Sequence, residues 1–325
     1  MAKVVCMGEV VVDMFSTQVE VPLEKVNSYI AVPGGGCANV AVGLSRLEIK
    51  SGFIGMVGRD HFGKFLANAL AENGVDVRGL KFTEKARTTL VFVSNTKTGE
   101  REFEFFRHPG ADMMLSPEDI EEHLIAEAEI FHFGSISMSG EPSFYATLKC
   151  LEYSRRHNLV ISFDPNLRPH VWKDLRQAKE RIKEGLKKSQ LVRMNISELE
   201  FLTGENDVEK GSNKILKLGP KTVIVTDGER GSYLSTGKLF RFVKAPEVQA
   251  VDTTGCGDGF TAAILSRMLY WKEKGRFIWE LNADEIDEIL MFANTAGALT
   301  ATKKGVFPAL PTYNQIQQLL RNTFL

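Results

Sequence analysis

No apolar run in this chain approaches the roughly 18 residues that span a bilayer, which argues against a membrane-crossing helix. Charge of one sign is also lacking. A net charge of −1 gives no basic field for nucleic acid. Cysteine is scarce: Cys6, Cys37, Cys150 and Cys256 show no Cys-x-x-Cys spacing, which points to reduced thiols and a cytoplasmic location. The six histidines show no zinc spacing and read as surface or packing residues. No Gly-x-x-x-x-Gly-Lys-Ser/Thr run occurs, which excludes a P-loop ATPase. Repeats, low-complexity tracts and long linkers are missing as well. Near the N-terminus, Glu9 and Asp13 interrupt what a signal peptide would keep apolar. The remaining balance, 43% hydrophobic and 25% charged over 325 residues, is that of a globular protein with a sizeable core.

What is present alternates. Ser51–Val57, Ile130–Phe133, Val160–Asp164, Leu191–Asn195 and Val223–Thr226 read as buried strands with helical patterns between them. Phe62–Asn73 reads as a helix stopped by Gly74, and Ser116-Pro117-Glu118-Asp119 as a helix start with Ser at the N-cap and Pro at N1. Repeated strand–helix units imply an α/β fold with a mostly parallel sheet covered on both faces. Ligands then bind beyond the carboxyl ends of the strands, where Asp164, Asn195 and Thr226 fall. Two stretches break the alternation. Phe15–Ala31 has weak strand character, and Arg87–Ser94 with Arg101–Arg107 flank the polar turn Asn95–Gly99 as a hairpin.

The richest segment is Asp252-Thr253-Thr254-Gly255-Cys256-Gly257-Asp258-Gly259-Phe260. An apolar stretch, Val248–Val251, leads in as a strand, and a helix from Phe260 to about Tyr270 leads out. Unpaired N–H groups at such a helix start bind anions, and a carboxylate beside them suits proton removal from an alcohol during phosphoryl transfer. Taken alone, Asp258 reads equally well as a carboxylate on the helix dipole. Pro33-Gly34-Gly35-Gly36-Cys37-Ala38-Asn39 lets backbone approach a ligand, with Asn39 on the first turn of the next helix facing the glycines. A flexible turn before a packed helix is the plainer reading. Asp13 follows Val10–Val12 at the end of a presumed central strand, where it is either a solvated strand end or a site residue. Asn195 and Glu198 are spaced for helix capping. Asp164-Pro165-Asn166-Leu167-Arg168 is a turn whose Arg168 is a surface charge or an anion clamp.

Together these residues resemble the ribokinase-like carbohydrate kinases, also called PfkB-type sugar kinases, over nearly the whole chain. One signature spans Gly34 to Gly63 and includes Gly55-Met56-Val57-Gly58-Arg59-Asp60-His61-Phe62-Gly63; the other is Asp252–Leu265. Within the family the chain is most similar to the fructokinases, through Gly8-Glu9 to Asp13, Phe103–Arg107 with Ala111-Asp112, Asp164–Arg168, and Phe292-Ala293-Asn294 running on to Lys303-Lys304-Gly305.

The resemblance implies a ribokinase-like three-layer sandwich formed by one domain, 1–325, with a small β lid from about 14–32 and 87–107 that also serves dimer contact. It implies ATP with Mg²⁺ and a monovalent cation such as K⁺, and a small-molecule sugar as substrate. Asp258 is then the general base, with the Gly255, Cys256 and Gly257 amides at the phosphoryl group. Asp13, Gly34, Gly35, Asn39, Arg107 and Arg168 fall to the sugar. Asn166, Asn195, Glu198, Thr226, Gly228, Gly231 and Asn294 fall to the nucleotide, and Asp252, Thr254, Thr300, Lys303 and Gly305 to the cation. Cys256 stands where the family usually has Ala, but still offers its N–H. Phe133-Gly134-Ser135 lacks the acid that ribokinases place there, which argues against ribose. The Asp-Pro-Asn-Leu-Arg run is atypical of adenosine kinases. Arg107 and Arg168 leave a 2-keto-3-deoxygluconate kinase open. A non-catalytic sugar- or nucleotide-binding regulator is a rival of another class, against which Asp258 between intact glycines weighs.

Overall fold

The structure is a computed structural model that describes residues 1–95 and 101–323. Among the described residues the strands are β1 (Val4–Met7), β2 (Val11–Ser16), β3 (Tyr29–Gly34), β4 (Ser51–Gly58), β5 (Asp76–Thr83), β6 (Leu90–Asn95), β7 (Arg101–Phe106), β8 (Ile130–Gly134), β9 (Val160–Asp164), β10 (Leu191–Asn195), β11 (Thr222–Thr226), β12 (Gly231–Ser235) and β13 (Phe240–Lys244). The α-helices are α1 (Gly36–Arg46), α2 (His61–Glu72), α3 (Glu122–Ala126), α4 (Ser143–Arg156), α5 (Leu175–Lys188), α6 (Ile196–Thr203), α7 (Val208–Leu216), α8 (Cys256–Glu273), α9 (Ala283–Ala301) and α10 (Tyr313–Thr323).

Nine strands form the main sheet in the order β13-β12-β11-β10-β9-β8-β1-β4-β5. Pairing is parallel from β5 to β11, and antiparallel for β12 and β13. The alternation of β1 shows why both faces are covered. Val4 and Cys6 enter one core with residues of α1, α8 and α9, whereas Val5 and Met7 enter a second core with residues of α4 and α5. No helix of the described residues is long and apolar enough to cross a membrane.

A second sheet of four strands, β3-β2-β6-β7, lies apart from the first. It pairs β2 with β3 and β6 with β7 antiparallel, and β2 with β6 parallel. The hairpin expected at 87–107 is β6–β7, though residues 96–99 of its turn lie outside the described residues. Val11, Val91 and Val93 pack together on one face with Phe15 and Phe105, and the Phe105 ring stacks 6.2 Å from His170. This face therefore covers the loop that follows β9.

Three expectations change. Asp13 does not end a central strand. That strand is β1, and Gly8-Glu9 break it, so Val11–Ser16 belongs to the small sheet. Val248–Val251 is not a strand. β13 stops at Lys244, and the chain reaches α8 without regular structure, tied instead to the end of α9 by the Val251 N–H, 2.7 Å from the Ala301 carbonyl. Ser116 does open a helix, with its N–H and hydroxyl both donating to Asp119 Oδ2, but only a 3-10 turn, Pro117–Asp119. Ile120 leaves that turn to bury its side chain, and the chain starts again at Glu122.

Candidate active site

Gly255 sits before α8 with φ 80°, a conformation that glycine adopts without strain; a Cβ there would also meet Val306 Cγ1 at 2.5 Å. The loop after α9 is thus packed on the start of α8. The helix has no side-chain cap; the Cys256 N–H takes the Thr253 carbonyl at 3.3 Å, and the positive end of the dipole stands over the turn that follows. Asp258 stands one turn in and is buried. Its Oδ2 accepts a hydrogen bond from Asn39 Nδ2 at 2.7 Å. Burial pushes the Asp258 carboxyl up to about 7, helped by the charge of Asp164 and opposed by the Asn39 bond, Arg168 and Arg193.

Asn39 is placed by α1. Its N–H bonds the Gly35 carbonyl at 2.8 Å, on the first helical turn as expected. Gly35 itself adopts φ 110°, which allows the loop to lie on the backbone of Glu9. Gly34 lies against the Asp13 carboxylate. Burial pushes Asp13 up to about 7 as well; Arg168 lowers it, and Glu9 and Asp258 raise it further. Asn39 thus bonds Asp258, and the charges of Asp13, Asp258 and Arg168 act on one another, so four residues distant in sequence are gathered in one place.

Beneath α8 lies a residue the sequence reading missed. Arg193, in β10, donates from Nη1 to Asp164 Oδ2 at 3.1 Å and from Nη2 to Thr226 Oγ1 at 2.6 Å. Asp164 Oδ2 also accepts from Thr261 Oγ1 at 3.2 Å. A Cβ on Gly257 would fall 2.7–3.0 Å from the guanidinium, so the glycine lets this cation reach the underside of the N–H cluster. Burial works against the charge of Arg193, but Asp164, Glu198 and Asp258 more than offset it. The available signal was a lone Arg inside the apolar run Leu191-Val192-Arg193-Met194.

The other candidates sort unevenly. Asn166 adopts φ 42° and places its amide against Gly36. Asn195 and Glu198 form a reciprocal cap. Glu198 Oε2 takes the Asn195 N–H at 2.8 Å, and its Oε1 takes the Leu167 N–H at 2.6 Å. Arg107 has partners within the protein. It is buried, with Nε on Asp112 Oδ2 at 2.7 Å, Nη1 on Ser139 Oγ at 3.0 Å and Nη2 on the Ile136 carbonyl at 3.3 Å, so all three nitrogens are held by protein groups. Gly228 and Gly231 flank a short turn between β11 and β12, and Asn294 Nδ2 donates to the Val243 carbonyl at 2.9 Å. Asp252 Oδ1 accepts from both the N–H and the hydroxyl of Thr254. The Thr300 hydroxyl is turned back onto the Ala296 carbonyl at 2.8 Å. Lys303 and Gly305 lie in the turn after α9 that reaches Gly255 through Val306.

Residues 1–313 match the sequence profile of the pfkB family carbohydrate kinases. The chain is 40% identical over 319 residues to fructokinase-2 of Solanum lycopersicum, covering 98% of this chain and 96% of that one. Its fold is similar to that of a fructokinase with bound ATP from Xylella fastidiosa, with a TM-score of 0.89 and 29% identity over 100% of both chains. It is also similar to a double mutant of the fructokinase from Vibrio cholerae O395 with fructose, ADP and potassium ion bound, with a TM-score of 0.86 and 32% identity over 98% of each chain.

Proposed function

The chain belongs to the pfkB family of carbohydrate kinases, and from that premise we propose that it transfers the γ-phosphate of ATP to fructose. The products are ADP and fructose 6-phosphate. The observation that carries this reading is Asp258, a buried carboxyl in the first turn of α8 whose pKa is raised to about 7, bonded to Asn39 and close enough to Asp13 for their charges to interact. Asp13, Asn39 and the Gly34–Gly35 backbone hold sugar hydroxyls. The sugar oxygen attacks the γ-phosphorus, the bond to the ADP oxygen breaks, and Asp258 takes the hydroxyl proton. The N–H groups of Gly255, Cys256, Gly257 and Asp258, with Arg193 beneath Gly257, stabilise the charge on the transferring group. The single domain uses its four-stranded sheet as a lid.

Asn195, Thr226, Gly228, Gly231 and Asn294 line the nucleotide side in this reading, and Asn166 joins the sugar side. Among the described residues no group of three or more His, Cys, Asp or Glu side chains is arranged to hold a metal. That donor set suits Mg²⁺ carried by nucleotide phosphates, with Glu198 ordering its waters, and does not suit a protein cage. The metal, when bound, neutralises phosphate charge. A monovalent cation fits between the Asp252–Thr254 stretch and the loop holding Lys303 and Gly305, through backbone carbonyls. Replacing K⁺ with tetramethylammonium should lower turnover; unchanged rates would remove the site.

A second reading, phosphorylation of 2-keto-3-deoxygluconate, needs cations for the substrate carboxylate. With Arg107 paired to Asp112, Arg168 is the arginine left for that role, which favours a neutral sugar. The exposed Ile30, Phe103 and Phe106 of the small sheet are assigned to a second copy of the chain; a monomer in light scattering would cancel that assignment. Cys6, Cys37 and Cys150 are buried thiols outside any disulfide, in keeping with a reducing compartment such as the cytosol, which fractionation would check.

Asp13→Ala and Asn39→Ala should each weaken sugar binding by about 1–3 kcal/mol, with much smaller effects on ATP. Asn39→Ala also removes the bond that lowers the Asp258 pKa, so the acid limb of kcat/KM should move to higher pH. Calorimetry and a pH profile check both; equal losses for sugar and ATP would place these residues elsewhere.

Cys256 is half-buried at the start of α8, whereas the other three cysteines are buried. It should alkylate first, with protection by ATP, and Cys256→Ala should stay active and resist inactivation. Peptide mapping that finds Cys256 unlabelled in the ligand-free enzyme would end that expectation.

A further inference from the structure

Glu9, between β1 and β2, is 4% exposed, and no role has been assigned to it above. Its Oε1 accepts the Gly36 N–H at 2.6 Å. The Gly35 approach to the Glu9 backbone, already noted, pins the same loop from the other side. Oε2 is also buried, and has no hydrogen-bond partner among the described residues. A buried carboxylate oxygen without a donor is costly, so such an atom in a working site is expected to meet one there. Glu9 lines a chamber with Gly36, His132, Ser135, Asn166 and Asp258 that has room for about one water molecule, about 10 Å³. Burial raises the Glu9 pKa, and the Gly36 amide and Arg107 act in the opposite sense.

We propose that Glu9 is a sugar-positioning residue. One carboxylate oxygen holds the glycine loop, and the other accepts an O–H in the chamber beside Asp258. This rests on the sugar-kinase reading above. The donor is a hydroxyl of the sugar itself or of one water that bridges to the sugar. In either case Glu9 acts on the sugar and on the loop that faces it, and the nucleotide side is spared.

Steady-state kinetics of the full-length Glu9→Gln and Glu9→Ala variants test this. Glu9→Gln keeps an acceptor for Gly36 and loses only the second acceptor, so it isolates the chamber from the loop. The sugar KM should rise roughly tenfold or more in Glu9→Ala and by less in Glu9→Gln, the scale of a lost hydrogen bond to a charged group, with the ATP KM within about twofold. Repeating the comparison with 1-deoxy-, 3-deoxy- and 4-deoxyfructose separates the two donors. If a sugar hydroxyl is the donor, one deletion that hurts the wild type should be harmless in Glu9→Gln. If water is the donor, all deletion penalties should persist while the sugar KM stays raised. A Glu9→Gln enzyme with a wild-type sugar KM overturns the proposal, as does an equal loss for sugar and ATP. Should the wild type reject fructose, the fructose reading falls alone, since the same split can be measured on whichever sugar it turns over.

Discussion

Asp258→Asn should lower turnover roughly 10²–10⁴-fold, the range for a lost general base, while ATP still binds. The substitution is close to isosteric. The new amide oxygen can still accept from Asn39 Nδ2, so the start of α8 and the position of Asn39 should survive. What disappears is the ability to take a proton. In the wild type the base works only when ionised, and burial has raised Asp258 to about 7. A group with a raised pKa is protonated over more of the acid range, so kcat/KM should climb as pH rises through about 7. Asp13, also near 7, interacts with the charge of Asp258, so the observed limb belongs to the pair. Turnover of Asp258→Asn within about threefold of wild type would contradict the assignment of a base.

Arg193→Met should have the largest effect on stability, a loss of about 3–5 kcal/mol, because it leaves Asp164 buried without its cation. Asp164 is 3% exposed, so water cannot replace the guanidinium easily. Thr226 loses its donor in the same step. Adding Asp164→Asn to Arg193→Met should restore part of the stability, since an uncharged pair leaves no buried charge, but it should not restore turnover if the guanidinium also supports the phosphoryl group. Urea unfolding monitored by fluorescence measures the first effect, and steady-state kinetics the second. A destabilisation below about 1 kcal/mol would mark the pair as solvent-screened.

The strands at Ile130, Val160, Leu191 and Val223 were legible because continuous apolar runs bounded by polar turns leave few alternatives in a sheet covered on both faces. The start of α1 was legible for a related reason, since glycines followed by small or apolar periodic residues mark a loop entering a buried helix, whereas α8 begins at Cys256, within the glycines and ahead of the expected Phe260. Sheet membership was not. Val10–Val12 fits a strand of either sheet, and only the break at Gly8-Glu9, with pairing to Tyr29–Gly34, decides for the small one. Arg193 was invisible because its partners lie on the neighbouring strands: register alone sets Asn195 beside Thr226 and Leu191 beside Ser162, which brings Thr226 and Asp164 within reach of the guanidinium. Arg107 is a different case: its partner Asp112 is only five residues on, and sequence alone does not say that the two pair.

The most direct test of the central claim is a comparison of kcat/KM across fructose, 2-keto-3-deoxygluconate, ribose and tagatose 6-phosphate by ATP consumption, with the fructose product identified by NMR. The account predicts the highest value for fructose and phosphate on its 6-oxygen. A higher kcat/KM for 2-keto-3-deoxygluconate would contradict it.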